Sequence, residues 1–370
     1  MTRVMHPRPN PIVAAMYTLR DLDADVIIVH GPAGCGFVAS RLLEEAGVHV
    51  VTTAMGEDDL IFGAEDALVD ILREVDERFS PSLVGIVGTC ASMIIGENLE
   101  AAIDAAGIPA TVLAVETHGC IGPNTEGAVK VMEAAVNAGI MAADEGDRQV
   151  RMLRAATSME ARVGMASKEY LEPSRGTTKL AVARRVVDTL STGGRVAVVM
   201  NAKKELAYRF ADVMLAVHEA SQMLGGEVDL VANLDPGIGL PRIRGYARDV
   251  LRDLEDAGVP VDFMTGGLDE YPVAGEVAAS HLEDGAYDLR VIVGLPHAVP
   301  GIGVDDVLVT DQPRQLANLI AQGHRYAVGE ISSHSAIMAA TGIVATETGD
   351  TIRELAVSMV DANGKGEART

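Results

Sequence analysis

DVIIVHGPAGC, residues Asp25–Cys35, sets how the rest of the chain is read. An acidic residue leads an apolar run (Val26, Ile27, Ile28, Val29) that has the pattern of a buried parallel strand. The run stops in a Gly/Pro turn and resumes with apolar residues at helical spacing, Phe37, Leu42 and Leu43. The turn carries a cysteine. The other two cysteines occupy the same kind of place: Cys90 follows LVGIVGT (Leu83–Thr89) and Cys120 follows TVLAVETHG (Thr111–Gly119). In an open α/β sheet the parallel strands end on one edge, and ligands bind beyond those carboxyl ends. Three thiols on one rim is therefore the expectation.

Working outward, residues 10–140 alternate strand and helix. Helices are expected over 11–22, 37–46, 64–79, 97–106 and 125–138, and strands over 25–30, 48–53, 83–88 and 111–115. That βαβ order predicts a doubly wound unit. Residues 141–172 are charged and helical in pattern, and EPSRGTTK (172–179) reads as a boundary. A second unit opens at STGGRVAVVM (191–200), with a long helix over 205–224, a strand over 228–233, a helix after Leu240 and a strand over 261–264. A third has strands over 289–293, 306–309 and 326–328, a helix over 313–322, a helical patch over 335–341 and a strand over 342–346. The predicted fold class is α/β: stacked Rossmann-like, doubly wound subdomains with parallel sheets. The predicted division is a cluster-binding subdomain 1–140, a helical connector 141–190 without chemistry of its own, a second Rossmann-like subdomain 191–285 and a third 286–370. A cleft between stacked units is a common place for a cofactor-sized ligand.

Composition agrees with this division. A chain of 370 residues is long for one core. With hydrophobic residues at 48%, aromatics at 3% and no Trp, packing falls to Ala, Val, Ile, Leu and Gly, as suits a parallel sheet covered on both faces. The formal charge of −23 repels phosphate backbones and anionic lipid, which argues against nucleic-acid and membrane-surface partners. MTRVMHPRPNP lacks an apolar signal core, and the longest apolar stretch, residues 83–96, is too short and too interrupted to cross a bilayer. A soluble cytoplasmic protein is expected.

HGPAGCG (residues 30–36) has the glycines of an anion-binding loop but neither the GxGxxG register nor a Lys-Ser/Thr ending. No GxxxxGK[ST] occurs, so ATP hydrolysis by a P-loop is not expected of this chain. Taken singly, each cysteine is by default a small buried hydrophobe; their shared placement points instead to a soft metal or an iron–sulfur cluster. None belongs to a CxxC pair, so no single loop supplies a site. For a cluster on the two-fold axis of a homodimer the ligand count must be even and equally shared. Two cysteines per chain give four ligands, and three would give six.

GPAGCG together with GTCASMIIGEN (88–98) and ETHGCIG (116–122) resembles the catalytic component of nitrogenase and the nitrogenase-like reductases. HPRPNPIVAAMYTLRDL (6–22) brings the likeness closest to the nickel-tetrapyrrole reductive cyclases of coenzyme F-430 biosynthesis in methanogens. The likeness is densest over the first 140 residues; beyond them it rests on stretches such as DPGIGLPRIRGYA (235–247). It implies a homodimer with a 4Fe-4S cluster shared between subunits, ligated by Cys35 and Cys90, and leaves Cys120 as a packing or rim residue. It further implies an iron-protein-like ATPase partner as electron donor, Ni-sirohydrochlorin a,c-diamide as substrate, and a ring reduction accompanied by lactam closure. Two departures from nitrogenase matter. No cysteine precedes Cys35, in keeping with a smaller cluster, and none follows Cys120 to anchor an iron–molybdenum cofactor, which argues against dinitrogen chemistry.

Without a thiolate anchor, a carboxylate-rich macrocycle must be held by shape and charge, which calls for Arg or Lys. PRIRGYAR offers Arg242, Arg244 and Arg248, and NAKKE offers Lys203 and Lys204 just after a strand end; the alternative is a solvated helix face. His118, His297 and His334 lie in loops or at helix starts, and each is a candidate proton donor or a locally bonded imidazole. Two other readings of the whole chain stay open: a non-catalytic metal-cofactor scaffold, and a chlorophyll-type tetrapyrrole reductase subunit.

Overall fold

Asn10 opens the first helix, α1 (Pro11–Asp21): its side chain accepts the Val13 amide at 3.0 Å, and Pro11 sits in the first turn, where its missing N–H costs nothing. The structure is a computed structural model, and it describes residues 10–120, 122–162, 174, 176–330 and 337–367. Two compact units divide the chain, one of Pro7–Arg154 with Leu240–Arg242, the other of Ala155–Gly239 and Ile243–Thr370.

After α1 the first unit runs β1 (Val26–His30), α2 (Phe37–Glu45), β2 (His49–Thr52), α3 (Glu57–Phe62), α4 (Glu65–Phe79) and β3 (Leu83–Gly88). It continues with α5 (Cys90–Ile95), α6 (Leu99–Ala106), β4 (Thr111–Glu116), α7 (Thr125–Asn137) and the start of α8 (Ala143–Arg162). The four strands are parallel in the order β2-β1-β3-β4. β1 is buried at every residue, because helices cover both faces; four of its five side chains are apolar and the fifth, His30, is buried with them. Val26, Ile28, Val84 and Ile86 point to one face, where Leu68, Leu72 and Val75 of α4 and Leu99 and Ala102 of α6 meet them.

The second unit holds the end of α8, then α9 (Lys179–Ser191), β5 (Arg195–Asn201), α10 (Ala207–Leu224), β6 (Glu227–Ala232), most of α11 (Pro241–Asp256) and β7 (Phe263–Met264). It ends with α12 (Tyr271–Asp284), β8 (Leu289–Gly294), β9 (Val307–Thr310), α13 (Pro313–Ala321), β10 (Tyr326–Gly329) and α14 (Glu347–Glu367). All six strands are parallel in the order β10-β9-β8-β5-β6-β7. One core joins Ala197, Val199, Val231, Ile292 and Leu308 of the strands to Ala278 and Leu282 of α12 and to Leu316 and Leu319 of α13. α9, α10 and α14 pack together, and Arg353 of α14 is tied to Asp212 and Glu219 of α10 at 2.7 and 2.6 Å.

Here the structure corrects several expectations. Among the described residues the predicted third subdomain, 286–370, has no sheet of its own, because β8 pairs with β5 and carries β9 and β10 into the sheet started by residues 191–285. Residues 342–346 form no strand; they lead irregularly into α14, and the Thr346 amide and hydroxyl bind Asp212 instead of a neighbouring strand. Of the predicted patch 335–341, residues 335 and 336 lie outside the described residues. Helices α3, α5, α9, α12 and α14 had no counterpart in the sequence reading. The boundary between units falls inside α8, between Arg154 and Ala155, within the predicted connector.

Candidate functional site

In the first sheet, β1 leads outward to β2 and β3 leads the other way to β4, so the winding reverses between β1 and β3. Loops that leave neighbouring strands in opposite directions open a crevice at such a point. Cys35 lies in the loop after β1, and Cys90 begins α5 directly after β3. Cys120 follows β4 on the same edge. The expected rim exists, and it lies at the reversal.

Local backbone chemistry holds it in place. A Cβ on Gly31 would lie 2.1 Å from Thr89 Oγ1, so only glycine lets the β1 loop pass that buried side chain. Gly36, at φ +85°, turns the chain from the cysteine loop into α2 in a conformation that other residues rarely adopt. Thr89 caps α5, accepting the Ala91 amide at 3.3 Å, and also bonds the Cys35 thiol.

Around Cys90 the donors are close. Its Sγ accepts the Gly119 amide at 3.0 Å and lies 3.5 Å from His118 Nδ1, which accepts the Cys120 amide at 3.3 Å. Since Nδ1 accepts a backbone proton, the neutral ring carries its own proton on Nε2. The ligand atoms of Cys90, His118 and Cys120 lie within 4.8 Å of one another. Burial pushes the Cys35 thiol above its ordinary pKa, and the negative charge of Cys90 and, less, Cys120 adds to this, partly offset by the Thr89 bond. Behind the rim, fully buried His30 places Nε2 3.5 Å from Glu97 Oε2; burial holds its pKa below the usual value despite that carboxylate. Cys35 and Cys90 are half-buried and Cys120 is exposed.

This donor set fits an iron–sulfur cluster: the thiols are soft ligands, partly open to solvent, and at Cys90 a backbone N–H already points at sulfur to stabilise the thiolate. Each thiol must lose its proton on metal binding, and the Cys35 proton is the more tightly held for being buried among like charges. Cys120 stands exposed on the rim beside Cys90 and His118.

The second sheet repeats the plan. β5 leads to β6 on one side and β8 leads to β9 on the other, so its winding reverses between β5 and β8. Lys203 and Lys204 follow β5, and His297 follows β8. Asn233 clamps the loop after β5 by bonding both the amide and the carbonyl of Ala202, at 2.9 and 2.7 Å. Lys204 holds φ +48° and places Nζ 3.9 Å from Asp269. Asn201 donates to the Tyr271 carbonyl at 3.0 Å, fixing the start of α12. From there the Tyr271 hydroxyl donates to Glu160 Oε1 at 2.9 Å, and His297 Nε2 reaches the same oxygen at 3.2 Å. Gln315 donates to His297 Nδ1 and accepts from the Thr310 hydroxyl at 2.7 Å. Burial would raise the Glu160 pKa, but the hydrogen bond and charge of His297, the charge of Lys203 and the Tyr271 bond together bring it below the usual carboxylate value. Tyr271 is raised, by burial first and then by the adjacent carboxylate.

Other sequence-picked residues are placed differently. Arg242 is engaged by Asp23 at 2.9 Å and by the Ala46 carbonyl at 3.3 Å. Arg244 is half-buried and Arg248 exposed, one turn apart on α11. His334 lies outside the described residues. Sequence reasoning missed Glu160, Tyr271 and Gln315. Glu160 sits in the charged stretch read as a plain connector, and nothing in its neighbours marks it. For Gln315 and Tyr271 the only signal was the prolines, Pro313 and Pro272, that open their helices.

A family model described as nitrogenase component 1 type oxidoreductase matches residues 11–224. The "Ni-sirohydrochlorin a,c-diamide reductive cyclase complex, component CfbD" of Methanothermobacter thermautotrophicus is 51% identical, over 94% of this chain and 98% of its own. The protein of the same name in Methanosarcina acetivorans is 45% identical, over 95% and 97%. A solved chain titled "Nitrogenase Cp1 at pH 5" aligns over 98% of this chain and 89% of its own at 16% identity, with a TM-score of 0.37, too low to carry an argument.

Proposed function

The chain belongs to the nitrogenase component 1 type oxidoreductase family, and on that premise we propose that it is the catalytic subunit of a reductive cyclase acting on Ni-sirohydrochlorin a,c-diamide in coenzyme F-430 biosynthesis. What carries the reading is likeness to two proteins of that name along nearly the whole of all three chains. The thiol rim at a strand-end reversal supports it, since a reductase of this kind needs a port for single electrons.

In this reading Cys35 and Cys90 from each of two copies hold a 4Fe-4S cluster, which when bound supplies one-electron transfer between an iron-protein-like ATPase and the macrocycle. ATP is consumed by that partner, this chain having no P-loop. Surface chemistry favours the homodimer. The helices that begin at the thiol rim, α2, α3 and α5, carry exposed apolar side chains: Phe37 at 70%, Ile61 at 71%, Phe62 at 84% and Ile94 at 78%. Apolar residues gathered beside a half-built metal site suit a second copy better than solvent. On the substrate side, Lys203, Lys204, Arg244 and Arg248 are the cations proposed to meet the macrocycle's carboxylate and carboxamide side chains. His118 is the proton-donor candidate with a described position and His334 one by sequence, whereas His297, with both ring nitrogens engaged, serves to orient Glu160. The macrocycle is reduced while the chain positions it, and the lactam closes from a side-chain amide, whose nitrogen gives up a proton and bonds to a carbon of the ring.

Iron and acid-labile sulfide, measured per dimer on anaerobically prepared protein, test the reading. About four of each are expected in the wild type and a near-complete loss in Cys35→Ser and in Cys90→Ser. A colourless, monomeric wild type that keeps turnover without both sulfurs would overturn it.

A further inference from the structure

Where the winding of the second sheet reverses, two side chains of opposite charge sit near each other without pairing. Glu160 is anionic, with its Oε1 already bonded by Tyr271 and His297. Among the described residues its Oε2 has no hydrogen-bond donor and Lys203 Nζ no acceptor. Lys203 follows β5 and His297 follows β8, strands that lie side by side with Asn201 opposite Gly294, so the lysine's charge acts on the carboxylate that His297 holds, yet the two form no ion pair within 4.0 Å. Glu160 is about a quarter exposed (24%), and Lys203 is half-buried, whereas His297 (6%) and Tyr271 (5%) lie behind them. The buried pair thus holds one carboxylate oxygen and leaves the other unbonded among the described residues.

An anionic acceptor and a cationic donor held apart make a specific recognition element. A carboxylate placed there would meet Lys203 favourably and Glu160 unfavourably. An ammonium would do the reverse. A carboxamide satisfies both, its N–H₂ donating to Glu160 Oε2 and its carbonyl accepting from Lys203 Nζ. The support behind the pair is what such a reader needs. Asn201, 1% exposed, fixes the start of α12 through the Tyr271 carbonyl, and Thr310 and Gln315 fix the imidazole that orients Glu160. We propose that Glu160 and Lys203 read a side-chain carboxamide of the tetrapyrrole, so that the amidated macrocycle is accepted in preference to its carboxylate parent. The inference rests on the functional reading above and adds the residues that set its specificity; Tyr271 and His297 act as positioning residues through Glu160.

The test is an absorption titration of the anaerobic dimer with Ni-sirohydrochlorin a,c-diamide and, separately, with unamidated Ni-sirohydrochlorin. The wild type should bind the diamide at least about tenfold more tightly, since a site built around hydrogen bonds rejects the analogue that cannot satisfy them. Glu160→Gln removes the repulsion of a carboxylate and should bring the ratio toward one, mainly by tightening the parent; Glu160→Asp should restore part of the preference. Lys203→Met should weaken the diamide by about tenfold through loss of a charged donor. Tyr271→Phe, which keeps the ring and frees the carboxylate, should narrow the ratio without abolishing binding, and it carries the test should Glu160→Gln not fold. A ratio unchanged in Glu160→Gln or, where that variant does not fold, in Tyr271→Phe, or diamide affinity unchanged in Lys203→Met, overturns the inference while leaving the functional reading intact. Failure of the wild type to bind either macrocycle overturns that reading and the inference with it.

Discussion

Gly31 shows how one missing methyl supports the proposed metal site. Thr89 is fully buried, bonds the Cys35 thiol and caps the helix that starts at Cys90, so whatever displaces it disturbs both proposed ligands. Gly31→Ala would place a carbon 2.1 Å from its hydroxyl oxygen. We expect a loss of about 1–3 kcal/mol in denaturant unfolding together with lower iron occupancy. Because the offending atom belongs to Thr89, Thr89→Ala in the same chain should recover part of the stability. Glu160 gives a second expectation at this scale. Its folded pKa lies below the ordinary value near ~4.3, so as the pH falls the unfolded chain takes up the proton first. Its contribution is present above about pH 5 and is lost as the pH drops through the folded value. The stability difference between wild type and Glu160→Gln should therefore be flat above about pH 5 and shrink below it, as urea midpoints across the acid range would show.

At the scale of elements, the organising device is the parallel strand that delivers a short loop to one edge. It occurs twice, and each time the chemistry-bearing residues follow the two strands at the winding reversal: Cys35 and Cys90 after β1 and β3, Lys203 and His297 after β5 and β8. Helix starts determine how well those loops are held. Asn10 caps α1 through a single side-chain oxygen, so Asn10→Ala should cost about 1 kcal/mol in chemical denaturation while leaving iron content unchanged. At the other end of the chain, α14 is clamped to α10 by Arg353, whose guanidinium meets two carboxylates. Arg353→Met leaves Asp212, 4% exposed, without one of its partners, and should be more damaging than the loss of the exposed Arg252–Asp249 pair.

For the whole molecule, the open question is how a half-site becomes a site. In the proposed reading Cys35 and Cys90 would give two cluster ligands, and the apolar side chains on α2, α3 and α5 offer the adhesion that would bring two more. Phe62→Asp or Ile94→Asp should shift sedimentation toward monomer, and iron content should fall in parallel, because neither copy alone supplies four ligands. If the variants become monomeric yet keep their iron, the shared cluster is excluded.

The sequence by itself determined the parallel strands, the thiol rim and the family. Continuous apolar runs, Gly/Pro turns and the spacing of three cysteines are local signals, and Cys35, Cys90 and Cys120 follow β1, β3 and β4 as those signals require. It did not determine how strands far apart in the chain pair. β8 lies beside β5, and that choice depends on which faces bury each other, so two predicted subdomains became one sheet. Nor did it reveal the group around Glu160, whose partners Tyr271 and His297 lie 111 and 137 positions further along the chain. A glutamate in a charged helix reads as solvated; only tertiary packing, which brings a buried imidazole and a buried phenol to one of its oxygens, gives it a role.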